Sequence, residues 1–254
     1  MSLTYYRIDL TRQLRDMGNM VFVIGLPVLM YLIFGSTFAA ADQTAGYANV
    51  QFYVMTSMAM YGATTATVAI AGMAALELLQ GWGRQLALTP MRNSAYVGTK
   101  VLVALTVAGG AVAAVFIAGV FTGAEADSVW IWISTALVAW LGASIFALLG
   151  LAVAQTFKSE SSVSIASAGT VLLAFLGNLF VPLSGTFLQI ARFTPMYGFA
   201  GLARWPQLRG LVVGNDEVTN FVDPFWSLAL NYIVWFVIFA GVAIWAVRRG
   251  RRRL

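Results

Sequence analysis

Residues 97–121 read VGTKVLVALTVAGGAVAAVFIAGVF. One charge, Lys100, stands near the start of this stretch, and everything after it is apolar, small or hydroxylic. A hydrocarbon core of roughly 30 Å is crossed by about 20 such residues as a helix. Five further blocks of similar character run from about Met17 to Ala40, Phe52 to Leu76, Val129 to Val153, Val163 to Val181 and Phe225 to Val247. Lipid offers the backbone no hydrogen-bond partner, so apolar runs of this length must be helices rather than open strands. A barrel would instead show short alternating segments. The sequence therefore predicts an all-α integral membrane protein with six transmembrane helices, forming one transmembrane domain over residues 1–254.

Composition agrees. The chain is 60% hydrophobic and 10% charged, against roughly 45–50% and about 25% in soluble domains. It has no cysteine and no histidine. That removes disulfides, thiolate metal sites, the commonest general base and the commonest metal ligand. No catalytic residue and no metal site is expected. The first apolar block is too long for a secretory leader, and no short basic leader precedes it.

Orientation follows from the basic residues. With the N-terminus inside, the inner segments hold Arg7, Arg12, Arg15, Arg84, Arg92, Lys100, Lys158, Arg248, Arg249, Arg251, Arg252 and Arg253. Arg192, Arg204 and Arg209 fall in one long outer loop, and the two short outer loops carry Asp42, Glu125 and Asp127 without a basic residue. The positive-inside rule then places both termini in the cytoplasm. The net charge of +5 belongs at an anionic inner leaflet rather than on nucleic acid.

Before the first block, Leu3, Tyr6, Leu10, Leu14 and Met17 recur at steps of three and four and form one stripe, with Asp9, Arg12, Arg15 and Asp16 roughly opposite and Arg7 beside it. This predicts an amphipathic helix over residues 1–16, lying along the inner surface. It either simply anchors the chain or also touches a cytoplasmic partner through Arg7, Arg12 and Arg15. Between the last two blocks, residues 182–223 are apolar at first but too short to span, and Pro195, Pro206, Gly198, Gly201 and Gly210 interrupt them. One or two short helices dipping back toward the membrane are expected there, then an exposed acidic stretch around Asp216 and Glu217.

The blocks contain almost no ionisable groups of the kind that relay ions. Glu77 and Lys100 come nearest, at inner ends where snorkelling suffices. No paired aspartate, metal site or serine with a base marks an intramembrane hydrolase. A phosphate-binding loop needs a lysine after a glycine in G-x-x-x-x-G-K-[ST]. Here Thr99 precedes Lys100 and Phe157 precedes Lys158, so ATP hydrolysis would need another polypeptide. Polar groups within the blocks are mainly small and hydroxylic: Thr56, Ser57, Thr64, Thr65 and Thr67 in the second, and Ser164, Ser167, Thr170 and Asn178 in the fifth. Such residues ordinarily let membrane helices pack closely. The alternative is that Thr64, Thr67, Ser164, Ser167 and Asn178 line a pathway.

The segment between the second and third blocks reads Leu76-Glu77-Leu78-Leu79-Gln80-Gly81-Trp82-Gly83-Arg84-Gln85-Leu86-Ala87-Leu88-Thr89-Pro90, with Tyr96 and Lys100 beyond. It resembles the first cytoplasmic loop of type-2 ABC transporter permeases in the spacing of Gly81, Leu86, Thr89, Pro90, Tyr96 and Lys100. It departs at Trp82-Gly83-Arg84, where that family often has Thr-Leu-Glu. Pro182-Leu183-Ser184, Leu188 to Ala191, Pro195, Tyr197 and Arg204 resemble the family's outer re-entrant helices, without a proline near Thr186.

The resemblance implies the membrane subunit of a bacterial exporter. Two permeases, identical or closely related, would each dock a separate cytoplasmic ATPase that holds ATP and Mg, and this chain itself would bind no cofactor. Residues 76–90 would be the coupling element, with Glu77, Gly81, Trp82, Arg84, Leu86 and Pro90 at the contact, and the second and fifth spans would line the path. The loop's own chemistry is compatible with this. Trp82 and Leu86 lie beyond Gly81 with no evident lipid to enter, and Pro90 would end a short helix at a fixed angle. Some of its leucines also simply continue the second span, as in a plain connector. An uncharged path favours a hydrophobic or amphipathic small molecule, such as a drug, an antibiotic or a lipid. A membrane scaffold or sensor subunit is the alternative class.

Overall fold

The computed structural model describes residues 3–37, 43–77, 80–81, 93–157, 159, 161–213 and 221–251, with residues 93–94 and 247–251 described by backbone alone. The chain opens with α1 (Leu3–Arg15). Asp16 then interrupts the helix. Its carboxylate accepts from the Asn19 N–H at 3.2 Å and caps α2 (Met17–Met20), as short polar side chains do at helix starts. A π-helical turn, Val21–Gly25, leads into α3 (Leu26–Thr37). Pro27 sits just beyond that turn and has no N–H to donate back into it, a common cause of a local change in helix winding.

A two-stranded hairpin, β1 (Thr44–Ala45) with β2 (Ala48–Asn49), pairs Thr44 with Asn49. It feeds α4 (Val50–Glu77). Then come α5 (Asn93–Thr122), α6 (Val129–Gly142), α7 (Ser144–Phe157), α8 (Ser161–Leu176), α9 (Gly185–Ala191), α10 (Pro195–Leu208) and α11 (Phe225–Arg251).

Among the described residues, five stretches are long and apolar enough to cross a membrane: Met17–Gly35, Val50–Glu77, Ala95–Thr122, Val129–Phe157 and Phe225–Ala246. Large apolar side chains such as Phe22, Ile33, Val237 and Trp245 face outward from the first and last of them. The chain is an all-α, multi-pass membrane protein. The fifth block is shorter than expected. α8 has 16 residues, about 24 Å at 1.5 Å per residue, because the helix stops at Gly177 and Asn178. Asn178 adopts φ 60°, its side-chain oxygen accepts from the Leu183 N–H at 2.8 Å, and its amide donates to the Val213 carbonyl at 3.2 Å.

α4 lies at the centre. Its most apolar window is 89% buried, against 17% for the first and last spanning stretches. α5, α3, α7 and α8 all pack on it. At Gly150 of α7 the approach is backbone to backbone, and a Cβ there would collide with the Val68 carbonyl. Small residues permit such contact between membrane helices. The break between α6 and α7 falls at Ala143, whose carbonyl accepts from Thr67 Oγ1 of α4 at 3.0 Å.

The bundle has a hairpin end and a Glu77 end. At the hairpin end, Gln51 Nε2 donates to the Thr122 carbonyl at 2.6 Å and Gln207 Nε2 to the Ala45 carbonyl at 3.2 Å. These bonds set the start of α4, the finish of α5 and helix α10 together. The segment expected to hold one or two short helices holds α9 and α10, and Pro206 sits inside the last turn of α10 rather than breaking it. Asp216 and Glu217 lie outside the described residues.

Candidate functional site

Four charges from three separate segments meet at the Glu77 end. Lys100 Nζ, on the first turns of α5, lies 2.7 Å from Asp9 Oδ1 of α1 and 2.8 Å from Glu77 Oε2, on the last residue of α4. Arg12 pairs with Glu77 and lies 3.4 Å from Asp9. Tyr96 Oη donates to Glu77 Oε2 at 2.8 Å. The two acids and two bases balance, which is how buried charge is tolerated in a low dielectric. Lys100 and Asp9 are each only 3–4% exposed, whereas the Arg12 side chain is 55% exposed. Partial burial pulls the Arg12 pKa down, but the hydrogen bond and charge of Glu77, with the charge of Asp9, outweigh it and raise it above its ordinary value.

This cluster differs from two expectations. Lys100 does not snorkel toward water; it reaches into a buried network. On α1, one acid expected opposite the apolar stripe turns into the bundle. Leu3, Leu14 and Met17 of the apolar stripe are exposed, while Asp9 and Gln13 face the bundle and Tyr6 Oη shares a hydrogen bond with Thr106 Oγ1 at 2.7 Å. Period-three-to-four spacing finds the apolar face of α1 but not the single acid on its bundle side whose partner lies 91 residues away.

The network pins both ends of the loop between α4 and α5. Glu77 closes one side, and Tyr96 and Lys100 close the other. Gly81, four residues past Glu77, takes φ 98°, a conformation open to glycine, and a Cβ there would meet nothing within 4 Å. Trp82, Arg84, Leu86 and Pro90 lie outside the described residues. Arg7 and Arg15 are exposed on α1, and both line an open groove on its surface together with Arg12.

The candidate path residues separate into two groups. Thr64 and Thr67 are fully buried, with Thr67 bonded to carbonyls of both Thr64 and Ala143. Asn178 is buried in the turn that ends α8. Ser164 is exposed and Ser167 half-buried on α8. The structure also buries a cation that sequence reasoning left in an outer loop. Arg204 of α10 is 5% exposed and donates from Nη2 to Ser57 Oγ of α4 at 2.6 Å.

Among the described residues, no group of three or more acidic side chains could hold a metal ion. No protein-family model matches the chain. The chain is 23% identical over 237 residues, 91% of its own length and 90% of the relative's, to a protein of Bacillus subtilis (strain 168) named "Putative transport permease YvfS".

Proposed function

We propose that this chain is the permease subunit of an ATP-driven exporter of the type-2 ABC family, sitting in a bacterial plasma membrane with both termini cytoplasmic. It works as a pair of permeases, identical or closely related, each with its own cytoplasmic ATPase. α8 serves as the fifth of six spans, and α9 and α10 as the outer re-entrant helices. The observation that carries this reading is the four-charge cluster. It joins α1 and both ends of the segment 78–92 into one unit, so a push on the loop or on α1 is delivered directly to α4 and α5. End-to-end similarity to a protein named as a transport permease, and the loop's Gly81, Thr89, Pro90, Tyr96 and Lys100 spacing, support the same reading.

The loop makes the first test. Trp82→Ala and Leu86→Ala are expected to release the ATPase or to uncouple hydrolysis from transport, while the chain still inserts. Desolvated aromatic anchors commonly cost about 2 kcal/mol or more on truncation. Co-purification of the ATPase, followed by transport in vesicles, measures this. Unchanged co-purification and transport in both variants would leave the loop a plain connector.

The path is assigned to the exposed side of α8, around Ser164 and Ser167, because Thr64 and Thr67 are enclosed within the bundle in this conformation. Ser164→Trp is expected to preserve assembly yet lower transport several-fold, since the new ring projects from an exposed position. Transport by this variant at the unmodified rate would remove α8 from the path.

A further inference from the structure

We propose that the hairpin end holds a binding site for a single-chain carboxylate amphiphile, its head on Arg204 and its chain in the apolar chamber alongside. The site lies within one chain, and its occupancy does not depend on what drives transport.

The head group is argued from charge. The Arg204 guanidinium is stacked 4.0 Å over the Tyr53 ring, and one nitrogen reaches Ser57. Its Nε is buried with no hydrogen-bond partner, and among the described residues it forms no ion pair. A cation removed from water is costly unless an anion compensates it. Asp223 lines the same small cavity but is already engaged. It accepts from Tyr197 Oη at 2.5 Å and lies 3.5 Å from Arg192. Burial, and then the hydrogen bond to Asp223, push the Tyr197 pKa well above its ordinary value, so the phenol stays a donor. Asp223 is thus paired with Arg192, and Arg204, lining the same cavity, has no ion pair among the described residues. Four of the buried polar atoms without partners, Arg192 Nε, Arg204 Nε, Gln207 Oε1 and Asn231 Oδ1, belong to this end of the bundle. Of these, Arg204 Nε belongs to a residue that lines the cavity.

The size and shape of the space set the rest. The cavity beside Arg204 measures about 40 Å³, room for roughly three waters at 10–15 Å³ each. A carboxylate suits that volume and the planar guanidinium fork; a phosphodiester bearing glycerol is much larger. Tyr53 and Val213 line both this cavity and a second chamber of about 160 Å³, which Leu179 also lines. That chamber is walled by Phe34, Val54, Met58, Phe180 and Pro182, with no charged side chain. Phe34 is exposed on the surface of the bundle, where an apolar chain in the bilayer would meet it. A cationic point against an apolar chamber fits a ligand with one anionic head and one apolar chain.

The test is equilibrium binding of radiolabelled palmitate to the purified full chain in phosphatidylcholine nanodiscs, with empty nanodiscs subtracted. The unmodified chain is expected to bind palmitate saturably. Methyl palmitate, which has the chain without the charge, should bind at least about tenfold more weakly. Arg204→Gln should weaken palmitate by a similar factor, and Val54→Phe, which narrows the chamber, should weaken it with Arg204 intact. The ester comparison uses unmodified protein and stands even if a variant fails to fold. Equal binding of acid and ester, absence of saturable binding, or unchanged affinity in a folded Arg204→Gln chain would each overturn the proposal. Displacement of palmitate by inorganic phosphate at equal concentration would also overturn it, showing a small-anion site without a chain subsite.

Discussion

Lys100→Ala is expected to destabilise the chain more than any other single charge removal at the Glu77 end. It leaves Asp9, 4% exposed, and Glu77, largely buried, with only the half-exposed Arg12 between them. Removing one partner from a buried pair costs about 3–5 kcal/mol, because the other charge stays buried. Arg12→Ala should cost under about 1 kcal/mol, since Arg12 is more than half exposed and solvent screens it. Thermal unfolding of the detergent-purified protein measures both. The double change Asp9→Leu with Lys100→Met removes both ends of the deepest pair and leaves Glu77 with Arg12. It should recover most of the stability, as apolar replacement of buried ion pairs often does. Under the proposed function, a double variant that is stable yet fails to couple ATP hydrolysis to transport would show that the tie between α1 and α5 transmits force. A Lys100→Ala chain that melts like the unmodified protein would show that the network is not structural.

Gly150→Ala is the second change with a large expected effect. One methyl group at this position meets the Val68 carbonyl, a backbone atom that no rotamer change can move. α7 must then move away from α4, the helix that most of the others pack on. Overpacking costs typically 1–3 kcal/mol, and more when backbone must shift. The yield of monodisperse protein on size-exclusion chromatography is expected to fall sharply. Gly169→Ala, on α8 with open space around its Cβ position, is the matched control and should be neutral or slightly stabilising, since alanine favours the helix. Equal yields from the two variants would refute the close-contact account of Gly150.

Much of the fold is legible because the bilayer imposes one length and one backbone solution. The block around residues 97–121 becomes α5 almost unaltered. The fifth block misleads because hydropathy continues through Leu179, Phe180 and Val181, while the backbone has already turned at Asn178. The turn depends on that side chain's bonds to Leu183 and Val213, which no periodicity displays. Glu77 and Lys100 stand out in the sequence as isolated charges, but the second acid on Lys100, Asp9, sits on a helix whose apolar stripe draws the eye to its other face. Arg204 was hidden by loop-like surroundings: the glycines at 198 and 201, which resemble breakers, give α10 room to press against Asn231 and Leu228 of α11. Thr64 and Thr67 illustrate the limit on the site. Hydroxyls on a membrane helix satisfy packing and path readings equally until their burial is known.

The enclosure of α4 bears on how the chain enters the membrane. A helix made second is released toward lipid before α5, α7 and α8 exist to cover it. Its hydroxyls would then be stranded in hydrocarbon, where an unsatisfied polar group costs several kcal/mol. Thr56 instead bonds to the Phe52 carbonyl, Ser57 to Tyr53 and Thr65 to Tyr61, each within its own helix at 2.8–2.9 Å. These bonds need no neighbour. These three hydroxyls of α4 can therefore cross into lipid already satisfied by their own helix. The bonds of Ser57 with Arg204, Thr67 with Ala143, Gln51 with Thr122 and Glu77 with Lys100 wait for later parts of the chain, so the later helices both cover α4 and complete its polar contacts.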